Sequence, residues 1–164
     1  MTLDVTRLSP ADAVAALRSY PRRYGTALLP LDDDEAAQRA LVMGPDGVAP
    51  IDLAYDTYAT MAGLRRALEE VIVHDNPVLL AALFDPSQRH YSGPAGDDPD
   101  AILDLLGTEA TGLADRVERV AVAEWSRSGT ESGTGRAVTA LDVVREAVRT
   151  AADNLRLLER LTGH

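Results

Sequence analysis

Residues 50–73, PIDLAYDTYATMAGLRRALEEVIV, decide the fold of this chain. Ile51, Leu53, Ala54, Thr57, Tyr58, Met61, Leu64, Leu68, Val71 and Ile72 recur at steps of three and four. That spacing gathers side chains on one face of an α-helix and gives this one a broad apolar stripe. Pro50 stands at the first turn, where its missing N–H is harmless, and His74-Asp75-Asn76-Pro77 stops the run.

The same period continues on either side. Ser9-Pro10 opens an earlier helix carrying Ala13, Val14, Leu17, Tyr20 and Tyr24; Pro21 is expected to kink or divide it and Pro30 to end it. An acidic turn over 31–35, a short helical piece over 36–41 and the turn Gly44-Pro45-Asp46-Gly47 lead to Pro50. Beyond Pro77, residues 85–98 are rich in Gly, Pro and polar side chains and read as a long loop, the kind that often forms a lid or binding loop. Asp98-Pro99 begins a third long helix to about residue 122, with Leu103, Leu106, Ala110, Leu113 and Val117 as its stripe. Trp125 reads as a core anchor and 126–136 as a Gly/Ser/Thr-rich hairpin or loop. Thr139 caps a fourth helix to about 161, with Leu141, Val144, Val148, Leu155 and Leu158 inward. Four long helices and no convincing strand predict an all-α four-helix bundle with short extra helical pieces and long loops, one domain over 1–164.

Composition narrows the function. The formal charge of −10 argues against a nucleic-acid partner, because phosphate contacts need a basic face. There is no cysteine, so neither disulfides nor thiolate chemistry is available. No apolar run approaches the length of a membrane span, and the opening MTLDVTRLSP has no apolar signal core, so a soluble, cytoplasmic protein is expected. All 16 basic residues are arginine, a usage typical of a GC-rich bacterial genome.

Two polar lines stand out among the apolar stripes. Asp52, Tyr55 and Asp56 cluster on the second long helix, with Asp52 and Asp56 four apart on one face. On the fourth, Glu146, Thr150 and Asn154 lie four apart, with Asp153 beside them. Facing each other, the lines form a slot of hydroxyl, amide and carboxylate groups; the alternative is that both face solvent. Nucleotide-binding and hydrolase signatures are missing, and the Gly129 to Gly135 stretch, without lysine, reads as a turn rather than a phosphate cradle. Of the three histidines, His74 ends a helix, His90 lies beside Tyr91 in the long loop and His164 is the last residue.

The order of these signals carries a resemblance. Leu17-Arg18 and Leu28-Leu29, then Gly47-Val48-Ala49-Pro50-Ile51-Asp52, Asp75-Asn76-Pro77-Val78-Leu79, Asp98-Pro99, Glu124-Trp125-Ser126-Arg127-Ser128-Gly129 and Thr139-Ala140-Leu141-Asp142-Val143-Val144 leading to Asn154-Leu155 resemble the DinB/YfiT-like superfamily. That superfamily includes mycothiol-dependent maleylpyruvate isomerases and related thiol transferases. The resemblance implies an up-down four-helix bundle, often a homodimer, with zinc or nickel held by three histidines. Against its pattern, Val48-Ala49 takes the place of Trp-Ser, Asp56 that of the first ligand, and Thr150 and Asn154 those of the His-x-x-x-His pair.

The expectation is therefore a bundle without its metal and without another cofactor. Asp56, as proton acceptor, with Thr150 and Asn154 forms the expected catalytic set, and Asp52, Tyr55, Glu146 and Asp153 line the substrate pocket. The function expected is metal-independent isomerisation, cyclisation, elimination or hydration of a small molecule in bacterial specialised metabolism. The alternative is non-catalytic binding or sequestration of a small molecule; a metal-dependent thiol transferase needs ligands that neither helix supplies. Asp56 facing Asn154 across an open cavity favours catalysis, and the two hydrogen-bonded together in a filled one favour binding.

Overall fold

A computed structural model describes residues 3–88 and 96–163. His90, Tyr91 and His164 lie outside the described residues. Four long helices are present: α1 (Pro10–Leu28), α3 (Pro50–Val73), α4 (Pro99–Glu118) and α5 (Ala140–Thr162), with a short α2 (Ala36–Arg39) between the first two. The caps read from the sequence form as side-chain hydrogen bonds. Ser9 and Asp12 close a reciprocal box at the start of α1, Thr139 and Asp142 do the same for α5, and Asp98 accepts from the Ala101 N–H on α4. Gly163, in the left-handed region at φ 82°, ends α5.

Pro21 does not divide α1, which is one helix from end to end. The third long helix ends at Glu118, short of 122; a 3₁₀ turn at Val122–Glu124 follows. Three short strands join the loops: β1 (Val78–Leu79), which the sequence did not suggest, pairs parallel to β2 (Ser128–Glu131), and β2 pairs antiparallel to β3 (Ala137–Thr139), the hairpin alternative read for 126–136. Segments of two to four residues have no period to read, which is why they escape a pattern-based search.

Side-chain pairings give the helix directions. Tyr20 and Tyr24 reach the Val148 and Ala151 carbonyls, so α1 and α5 run parallel. Arg65 pairs with Glu109 and Glu69 with Arg116, so α3 and α4 are parallel too. Thr57 meets Asn154 while Leu53 shares a cleft with Leu157 and Leu161, which makes α3 and α5 antiparallel. Arg18 pairs with Asp115 and Pro21 approaches Gly107, so α1 and α4 are antiparallel. The order is up, down, down, up. Each of α1 and α3 packs on both α4 and α5, and α1 and α3 face each other across the bundle's diagonal.

This arrangement explains the long connections. Residues 29–49 and 119–139 cross a diagonal, and α4 starts toward the same end of the bundle as α3. A 24-residue helix is about 36 Å long, so two sequential parallel helices need a long connection. The core is filled by Leu17, Tyr20, Tyr24, Leu53, Met61, Leu64, Leu68, Leu106, Leu113, Val144, Val148, Leu155 and neighbours, with Trp125 packed at its edge.

Candidate functional site

Asp56 and Asn154 meet. Asp56 lies two turns into α3 and Asn154 two turns from the end of α5, and the antiparallel packing of these helices sets the two side by side. The Asn154 Nδ2 donates to Asp56 Oδ2 at 2.8 Å and to Thr57 Oγ1 at 3.0 Å. Asn154 is buried, Thr57 is fully buried, and Asp56 is half-buried. Thr150, one turn before Asn154 on the same line, is buried as well.

Thr57 extends the pair into the core. Its Oγ1 lies 2.9 Å from the Leu53 carbonyl and 2.8 Å from the Tyr24 hydroxyl, which in turn lies 2.7 Å from the Ala151 carbonyl. Three oxygen–oxygen contacts thus share two hydroxyl protons, because carbonyls only accept. Burial pushes the Tyr24 phenol far above its ordinary range and raises that of Tyr20 as well, so both remain neutral hydrogen-bonding groups. Thr57 and Tyr24 sit on apolar stripes and were read as core, so sequence periodicity alone does not reveal their part in the network. Their one signal is a hydroxyl on a buried face, which has to find a partner.

The other expected site residues make local contacts. Asp52 accepts from the Ala49 N–H at 2.9 Å and caps α3, replacing the side-chain cap that Ala49 lacks. Tyr55 packs against Tyr58 with ring centroids 5.9 Å apart. Glu146 is held by Arg149 of its own helix, and Asp153 lies between Arg149 and Arg156. All of these contacts are with residues three or four positions away along the same helix or its cap. Asp56, Thr150 and Asn154 remain the polar set on the α3/α5 seam.

Across the seam the Asn154 amide presents an N–H to the Asp56 carboxylate. Among the described residues no three His, Asp or Glu side chains gather at one point.

One turn further along the seam, a cleft of about 510 Å³ opens between Val48, Leu53, Leu157 and Leu161, with Asp46 and Arg160 also lining it. Leu53 links cleft to network, since its carbonyl faces Thr57. Just before the Gly44 turn in sequence, Leu41-Val42-Met43 exposes three consecutive apolar side chains. Among the described residues no helix is long and apolar enough to cross a membrane.

No known family profile matches the sequence, and no curated protein matches it. Among solved structures, YfiT from Bacillus subtilis, a probable metal-dependent hydrolase with an unusual four-helix bundle topology, superimposes with a TM-score of 0.79 over 98% of this chain and 89% of that one. The two are 10% identical, so the likeness is one of fold. The chain has the YfiT-like, DinB-type four-helix bundle fold.

Proposed function

We propose that this protein binds a small molecule with an apolar body in the cleft on the α3/α5 seam and does not transform it. The observation that carries this reading is the Asn154 amide, which commits one hydrogen to Asp56 and the other to Thr57. With both amide hydrogens engaged, the pair clasps α3 to α5 and leaves ligand contact to the neighbouring cleft. The neighbouring cleft supplies apolar surface and a volume in the range of small-molecule sites. The reading is metal-independent, because the donor set suits neither zinc nor nickel. Protein purified without chelators or an affinity tag is expected to hold substoichiometric zinc and nickel; a full equivalent of either overturns that part.

Indole serves as a neutral apolar probe of the cleft in calorimetric titration. Leu157→Arg, at a position already 38% exposed, is expected to abolish indole binding by placing a charge in the cleft. Asp56→Asn is expected to leave it unchanged. The reverse pattern sinks the reading.

One observation favours the acid–base enzyme. Asp56 is the carboxylate on the seam and is half-buried rather than sealed in the core. On that reading Asp56→Asn abolishes turnover, by isomerisation, cyclisation, elimination or hydration, of any small molecule found to be converted. Unchanged turnover rules Asp56 out as the base.

A further inference from the structure

Two charges in the cleft have no role in the binding reading so far. Asp46 and Arg160 both line it, and among the described residues neither has an ion-pair partner, nor are they paired with each other. Arg160 is the exception on its helix. Arg145 donates to the Leu8 carbonyl, and Arg149 and Arg156 are held by Glu146 and Asp153. Asp46 projects from the turn after Gly44, which is fixed on α5 by the close approach of its backbone to Leu161. The two opposite charges are thus set on two elements that flank one apolar floor.

Ligand chemistry follows from this arrangement. An anionic head on Arg160 would also meet Asp46, in a chain of net charge −10. A cationic head on Asp46 would meet Arg160. A neutral molecule would draw on neither charge, both of which are exposed and hydrated. A head carrying both signs satisfies both, and a carboxylate suits the planar guanidinium of arginine. Building on the small-molecule reading above, we propose that the cleft takes a small zwitterion with an apolar body, of the α-amino-acid kind. Its carboxylate pairs with Arg160, its ammonium with Asp46, and its body lies on Val48, Leu53, Leu157 and Leu161.

Four molecules of one ring system separate the contributions: indole, indole-3-propionate, tryptamine and tryptophan, titrated calorimetrically into the full chain. Tryptophan is expected to bind roughly fivefold tighter than indole, the gain of two solvent-exposed ion pairs. The two singly charged molecules are expected to show no such gain, and added salt is expected to erase the tryptophan advantage. Arg160→Gln and Asp46→Asn, both at exposed positions, are each expected to reduce it while leaving indole binding as it was. If indole binds and tryptophan gains nothing, the assignment of the head is wrong and the cleft remains a binding site. If tryptamine or indole-3-propionate binds tightest, the zwitterion is replaced by that class. If none of the four binds, the binding reading fails together with this one.

Discussion

Asn154 and Tyr24 lie at opposite ends of one hydrogen-bond chain, and removing them should have different consequences. Asn154→Ala takes away one donor to Asp56 and one donor to the buried Thr57 oxygen. The expected loss is about 1–3 kcal/mol in urea-induced unfolding. Tyr24→Phe removes a hydroxyl from a group of three contacts that had only two protons. Thr57 keeps the Leu53 carbonyl as its acceptor, and the Ala151 carbonyl keeps its place in the α5 ladder. The expected loss is less than about 1 kcal/mol. Equal losses for the two variants would show that the proton count does not describe this network. The residue types on this seam were legible in the sequence for Asp56, Thr150 and Asn154. Asp52, Tyr55, Glu146 and Asp153 look the same on a helical wheel, but each is occupied locally, by a cap, a ring neighbour or an arginine one turn away.

Helix α3 has no basic residue in its last turn, and Arg127 supplies one from across the chain. Its guanidinium donates to the Val71 and His74 carbonyls and pairs with Asp75. Cations at a helix C-terminus are favoured by the dipole and satisfy orphan carbonyls. Arg127→Ala is expected to cost about 1–2 kcal/mol and to speed amide hydrogen exchange at the end of α3 and in β1 before the rest of the bundle. The segment that begins just before Arg127 was read as a hairpin or loop, and in the hairpin that forms Gly129 has a steric role. A Cβ on it would lie 2.6 Å from the Pro77 carbonyl oxygen, a backbone atom that cannot swing aside. Gly129→Ala should therefore weaken the β1–β2 pairing by about 1–3 kcal/mol, visible as faster exchange of the Thr130 amide, which bonds that same carbonyl. At the hairpin turn, Glu131 accepts from the Thr134 hydroxyl and from the Gly133 and Thr134 N–H groups, which hold its carboxyl below the usual carboxylate range.

At the scale of the whole molecule, those lowered carboxyls and the raised tyrosines bound the pH range of stability. Glu131, Asp12 and Asp4 have folded-state pKa values below their unfolded ones, through hydrogen bonds from Thr134, Ser9 and Thr6 respectively. Their contribution is present above the ordinary carboxylate range and is lost as pH falls through the lowered folded values. Tyr20 and Tyr24 are shifted the other way by burial. Their contribution is complete below a pH of about 10, the unfolded tyrosine value, and stability declines as pH rises beyond it. Tyrosinate absorbance from these two residues is expected to appear only with alkaline unfolding, and Tyr24→Phe is expected to move that transition to higher pH. Absorbance that rises while the helices stay intact by circular dichroism would contradict the burial argument. Local signals were enough to determine the four long helices, their caps and their apolar faces, because a 3.6-residue period and a capping box are properties of neighbours in the chain. The direction of each helix, the short sheet and the meeting of Asp56 with Asn154 were decided only by the tertiary structure. Those depend on which helices become neighbours in space, and an up, down, down, up bundle brings together residues nearly a hundred positions apart that no local pattern relates.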